Sequence, residues 1–170
     1  MTTRLSMLLL ALLVAAPMMS AQQKKKPDTP AQSVRKHLAG IDRRILEMAK
    51  DFPADKYDFK LKPEMRSFGE VLVHIVAGNM YVTQSAKHDP KAEWGDLDAK
   101  KYPNKEAIVA LLEKEFAASE AALNAVPDAE FAKTVDPYLS VTEHNGEHYG
   151  LLVAYYRANG LVPPASRPKK

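Results

Sequence analysis

Residues 141–164 read VTEHNGEHYGLLVAYYRANGLVPP. The centre of that stretch is the pair His144 and His148. Four residues apart on a helix of about 3.6 residues per turn, the two imidazoles project from nearly the same face and can reach one ion. The stretch itself reads as a helix that starts near Ser140 and stops at Gly160, whose freedom at positive φ suits a helix C-cap. Two histidines do not make a metal site, since core histidines bonded to carbonyls have the same look. A third ligand has to come from elsewhere in the chain.

Working outward, three more segments carry the helical period. From Ala31 to about Lys50, the apolar positions Val34, Leu38, Ile41, Ile45, Met48 and Ala49 recur at three and four residues, and the helix stops before Pro53. Ser67, with Glu70 three residues on, has the capping-box spacing and opens a second helix. One stripe of it holds Phe68, Leu72, Ile75 and Val82, the next Val71, His74, Gly78 and Tyr81, and it ends around Ala86. A third helix follows Asn104 as N-cap and runs to about Val126, with Ile108, Leu111, Leu112, Phe116 and Leu123 inward. Between them, residues 52–63 form a proline-bounded loop packed by Tyr57, Phe59 and Leu61. Residues 88–103 form a surface crossover anchored by Trp94 and Tyr102, and residues 128–138 a polar connection. Four amphipathic segments without a strand ladder or internal repeat predict an all-α, four-helix bundle.

The chain of 170 residues, 46% hydrophobic, is long enough for one domain with a real core. Its formal charge of +3 comes from the ends. Removing Arg4, Lys24, Lys25, Lys26, Arg167, Lys169 and Lys170 from the 24 basic residues leaves 17 against 21 acidic ones, so no cationic face for nucleic acid is expected. Arg4 followed by the apolar run 5–16 (LSMLLLALLVAA) has the form of a secretory signal peptide, too short for a membrane span. Cleavage after Ala21 is expected, with Ala16 as the alternative because Met19 is large for the −3 position. The predicted organisation is thus a signal peptide at 1–21, a disordered lead-in at 22–30, the bundle at 31–166 and a solvated basic tail at 167–170. The mature protein is expected to be secreted or periplasmic, with no stable membrane insertion. With no cysteine, neither disulfide nor thiolate chemistry is available to it.

Of the other three histidines, His37, His74 and His88, only His74 lies within a strongly apolar helix, between Val73 and Ile75, where an unpaired imidazole is costly. It is the preferred third ligand. Three neutral imidazoles from two helices, with positions left open, are the pattern of a catalytic rather than a structural Zn²⁺ or Ni²⁺ site.

At this point the chain resembles the DinB-like (DinB/YfiT) superfamily of metalloenzymes. The residues that carry the resemblance are Leu72, Val73, His74 and Ile75, the His144-x-x-x-His148 pair with Tyr149 and Gly150, and the ending YYRANGLVPP at 155–164. It spans essentially the whole mature chain. It implies a four-helix bundle holding a divalent metal through His74, His144 and His148 at one end of a pocket. Tyr149 and Leu151 stand where many relatives have a His and a Gln, a departure that leaves the three ligands intact. Relatives include thiol-dependent S-transferases and isomerases.

Two functional classes follow. In the first, the ion lowers the pKa of a water or of a substrate thiol, so that hydrolysis and thiol transfer of an unknown small-molecule substrate both fit. Secretion favours hydrolysis, because low-molecular-weight thiols are chiefly cytoplasmic. In the second, the bundle holds a metal or a small apolar ligand without turnover. No catalytic residue is assigned from the sequence. The candidates are Glu70 and Glu147, against a reading as helix cap and solvated carboxylate, and Arg157, which could hold an anionic substrate or pair with a helix C-terminus. A homodimer is compatible with the pattern, although no apolar stripe demands one.

Overall fold

The computed structural model describes residues 26–133 and 135–168. The expected signal peptide, residues 22–25 of the lead-in and Lys169 and Lys170 lie outside the described residues. The chain forms α1 (Pro30–Asp51), α2 (Phe68–Ala86), α3 (Lys105–Ala125), a one-turn α4 (Asp128–Phe131) and α5 (Val135–Ala158), with no strand among the described residues. This is the all-α bundle expected from the periodicity.

The starts of the helices follow from their capping side chains. Thr29 accepts from the Gln32 amide while Gln32 reaches back to the Thr29 amide, and Ser67 and Glu70 do the same for α2. Asn104 caps α3 through the Ala107 amide. At the far end of α5, Gly160 adopts φ +70°. The Leu161 amide bonds to Tyr156 O and the Gly160 amide to Arg157 O, a Schellman stop that only a residue tolerant of left-handed backbone makes without strain.

Two expectations need correction. The polar connection 128–138 is largely helical: α4 occupies its start, and α5 begins at Val135, not near Ser140. Pro137 is accommodated because it sits in the first turn, where its missing N–H has no intrahelical acceptor. The helical start buries Tyr138 and stacks it on Phe131, with ring centroids 4.6 Å apart. The basic tail also begins later than expected, since Arg167 forks onto Asp51 and the Val162 carbonyl instead of standing free.

Each long helix has two principal neighbours: α2 packs on α3 and α5, and α1 packs on α5 and α3. The pairs α1/α2 and α3/α5, consecutive among the long helices, therefore lie on the diagonals, and their connections cross the bundle. The apolar interior has two parts. One is centred on Phe52, Tyr57, Phe68, Tyr155 and Tyr156, with Phe52 stacked on Phe68 at 3.8 Å. The other contains Leu38, Val82, Leu123, Phe131, Tyr138 and Val141. Between them lies a buried polar layer of Asp42, Asn79, Ser119 and Asn145, one residue from each long helix. No helix among the described residues is long and apolar enough to cross a membrane.

Candidate metal centre

The packing of α2 on α5 brings His74, 70 positions before His144, against the His144/His148 pair. One ligand atom from each of the three lies within 4.8 Å of the other two. The rings meet edge to face, with centroids 5.0 Å (His74–His144), 4.9 Å (His74–His148) and 4.3 Å (His144–His148) apart. His37 and His88 take no part; His88 faces Glu130 at 3.9 Å on the surface.

Hydrogen bonds at the far side of two rings decide which nitrogen points inward. His74 Nδ1 lies 3.3 Å from Asp96 Oδ1, an atom that can only accept when the carboxyl is ionised. Burial pushes the Asp96 carboxyl up, but hydrogen bonds from His74 and the Leu97 amide, with Arg66 beside it, hold it below the usual carboxylate range. His144 Nδ1 lies 3.1 Å from Asn145 Oδ1. With the proton on Nδ1 of both rings, the two Nε2 lone pairs face each other at 3.1 Å. Two lone pairs that close repel unless a proton or a cation sits at them. Their separation is near the edge of about 3.3 Å that tetrahedral coordination at about 2.0–2.1 Å gives between nitrogens. The donor set therefore fits a divalent ion of imidazole preference.

The electrostatics keep the lone pairs of His144 and His148 free. Burial lowers the pKa of His144, opposed by its bond to Asn145, with His74 lowering it further. Burial first, then the neighbouring His144, His74 and Arg66, push His148 down to about 4. Near neutral pH both rings are unprotonated and able to ligate.

The residues around the triad come from segments that periodicity cannot rank. Trp94, expected as a surface anchor, stacks on Tyr81 at 5.3 Å and stands edge-on to His144 at 5.0 Å, making a wall of the site. Gly78 leaves room for it: a Cβ there would lie 3.0 Å from Trp94 Cζ2 and 3.3 Å from His144 Nδ1. The Arg66 backbone is tied down by the Tyr155 hydroxyl, which donates to its carbonyl. The catalytic candidates lie elsewhere or are engaged. Glu70 spends its carboxylate on the Ser67 amide at 2.6 Å and on Lys60 at 3.3 Å. Glu147 is exposed on α5, beside His148 in the chain and within electrostatic reach of His144. Arg157 is exposed nine residues beyond His148, about two and a half turns along the helix.

A helical bundle with three imidazoles converging from two adjacent helices defines a class of metal-site bundles. The model of the DinB superfamily matches residues 37–155, which include all three histidines. The chain belongs to the DinB superfamily. No curated protein matches it.

Proposed function

We propose that the protein is a divalent-metal-dependent enzyme in which His74, His144 and His148 hold a zinc or nickel ion, and that it acts as a hydrolase or a thiol-dependent transferase on a small molecule. The observation that carries this reading is the convergence of two Nε2 atoms at 3.1 Å, each ring bonded through Nδ1 to an oxygen, with His148 completing the group. When bound, such an ion supplies Lewis acidity that lowers the pKa of a water or a thiol and polarises an electrophile.

The chain's own residues do the rest. Asp96 and Asn145 orient two of the rings, Trp94 and Tyr81 exclude water from one side, and Arg66 adds positive charge that favours an anionic group. Two features favour turnover over a purely structural ion. Three protein ligands leave a tetrahedral ion one position short, whereas structural zinc sites are closed by four. His74 also retains 20% side-chain exposure beside an Asp96 that is 58% exposed, so the group can be reached from solvent. The leader at 1–21 supports a location outside the cytoplasm, where hydrolysis is the better fit of the two reactions.

The test has two parts. Zinc- and nickel-loaded protein is assayed on ester, amide and thiol-acceptor panels, alongside His74→Ala, His144→Ala and His148→Ala. Turnover that disappears with each histidine supports the proposal, and turnover that survives all three replacements overturns it.

A further inference from the structure

The four residues of the polar layer account for every one of their amide hydrogens. Asn145 Nδ2 donates to Asp42 Oδ1 at 2.7 Å and to Asn79 Oδ1 at 2.8 Å. Asn79 Nδ2 donates to Asp42 Oδ2 at 2.7 Å and to Ser119 Oγ at 3.2 Å, while the Ser119 hydroxyl donates to the Phe116 carbonyl at 3.0 Å. Asn145 and Asn79 are fully buried, and Asp42 is 5% exposed. The atom left over is Asn145 Oδ1, which faces His144 Nδ1.

The triangle of Asp42, Asn79 and Asn145 has a parity. Asn145 presents one atom, its nitrogen, to both other members; Asn79 presents its nitrogen to Asp42 and its oxygen to Asn145; Asp42 presents one oxygen to each. With an ionised carboxylate, all three sides pair a donor with an acceptor. Rotating the Asn145 amide by a half-turn would set its oxygen against an Asp42 oxygen and against Asn79 Oδ1. A side-chain amide at position 42, with one end that only donates and one that only accepts, forces a like-with-like contact on some side, whichever way the other amides turn. Buried mismatches of this kind carry the desolvation cost of an unmade hydrogen bond. The carboxylate therefore determines which end of the Asn145 amide His144 meets.

We propose that Asn145, locked by Asp42 and Asn79, is a positioning residue that fixes His144 as the Nδ1–H tautomer and so aims its Nε2 lone pair into the metal centre. The centre of the bundle, by this reading, is wired to the site: Asp42 on α1 and Asn79 on α2 set the tautomer of a ligand on α5 through the Asn145 amide. Ser119 closes the layer on the α3 side and leaves the Asn145 orientation alone. The inference rests on the metal-centre reading for its purpose, but the tautomer itself can be read without metal.

The experiment is a long-range ¹H–¹⁵N spectrum of metal-free protein at pH 8, with the His144 signals assigned by their loss in His144→Gln, together with a zinc titration. The wild type is expected to carry the His144 proton on Nδ1. Asp42→Asn, which keeps the shape and removes the second acceptor, should move that proton wholly or partly to Nε2 and weaken zinc binding by about 10–100-fold. Ser119→Ala should lower the melting temperature with tautomer and zinc affinity unchanged, an outcome that a merely structural layer would not separate. A wild-type His144 protonated on Nε2, or an Asp42→Asn protein with wild-type tautomer and affinity, overturns the proposal. If Asp42→Asn does not fold, the wild-type spectrum decides alone. An Nδ1–H tautomer in protein that takes up no zinc would sink the metal-centre reading and leave the tautomer lock standing.

Discussion

Gly78→Ala perturbs the site with one methyl group. The new Cβ would stand 3.0 Å from Trp94 Cζ2 and 3.3 Å from His144 Nδ1, both tighter than ordinary van der Waals contact. In the interior of α2, alanine gains about 0.8–1.0 kcal/mol of helix propensity over glycine. Against this stands the cost of moving Trp94 off Tyr81, about 0.5–1.5 kcal/mol for the lost ring pair, and crowding of the same order. The costs outweigh the gain, so a destabilisation of up to about 2 kcal/mol is expected. The site is perturbed as well. Trp94 lies on the loop between α2 and α3 and yields more easily than α5, so the indole leaves the wall and His144 shifts against its Asn145 bond. Zinc affinity is then expected to fall about 10-fold, the lower end for disturbed partners of a ligand. Trp94 is the chain's single tryptophan, so its fluorescence reports the displacement directly. Thermal unfolding, emission spectra and zinc titration make the assay. A stable Gly78→Ala protein with unshifted emission and unchanged zinc affinity would refute the placing of Trp94 and Gly78 at the metal centre.

Further predictions concern charge, ligand orientation and processing. Burial outweighs the bonds from Asn145 and Asn79 and raises the Asp42 pKa from 3.8 to about 7. The folded state therefore binds that proton more tightly than the unfolded chain, so the contribution to stability is complete below about pH 4 and is lost as pH rises through 7. It amounts to roughly 4 kcal/mol. His148 has the opposite sign: its depressed pKa gives stability that is present above about 6.5 and lost as pH falls towards 4. Urea midpoints across pH 4–8 should fall less steeply with acid in wild type than in Asp42→Leu, and equal slopes would contradict the Asp42 assignment. Replacing Asp96 by alanine frees His74 Nδ1 and should weaken zinc binding about 10-fold with little change in melting temperature, since the bond is exposed. Mass spectrometry of protein exported from its host should show Gln22 at the start, and an intact Met1 would argue for a retained anchor.

The bundle was legible because its apolar residues keep the helical period, and the caps at Ser67 and Asn104 carry side chains that satisfy free amides. The three histidines converge as the placement of His74 within an apolar helix anticipates. The beginning of α5 was not legible, because Pro137 and the polar residues before it resemble a connection, whereas in the fold the helical start buries Tyr138 and stacks it on Phe131. The polar layer left a signal that charge conceals. Asp42 lies four residues after Leu38 and three before Ile45, Asn79 four after Ile75 and three before Val82, and Ser119 three after Phe116 and four before Leu123. Each occupies an inward position of an apolar stripe, which a polar residue holds only if it finds a buried partner. Trp94 and Asp96 lie on an irregular crossover, and their approach to the histidines depends on how that loop folds over α2, which no periodicity encodes.

In the proposed centre, three histidines from α2 and α5 form one metal-binding group. Metal content after zinc loading and removal of free ion, measured by mass spectrometry on the wild type and on the three single His→Ala proteins, tests it most directly. One equivalent of zinc per chain is expected in the wild type, with a loss of binding in each variant that remains folded. Less than about a tenth of an equivalent in the wild type, or full retention in folded His74→Ala, would contradict it.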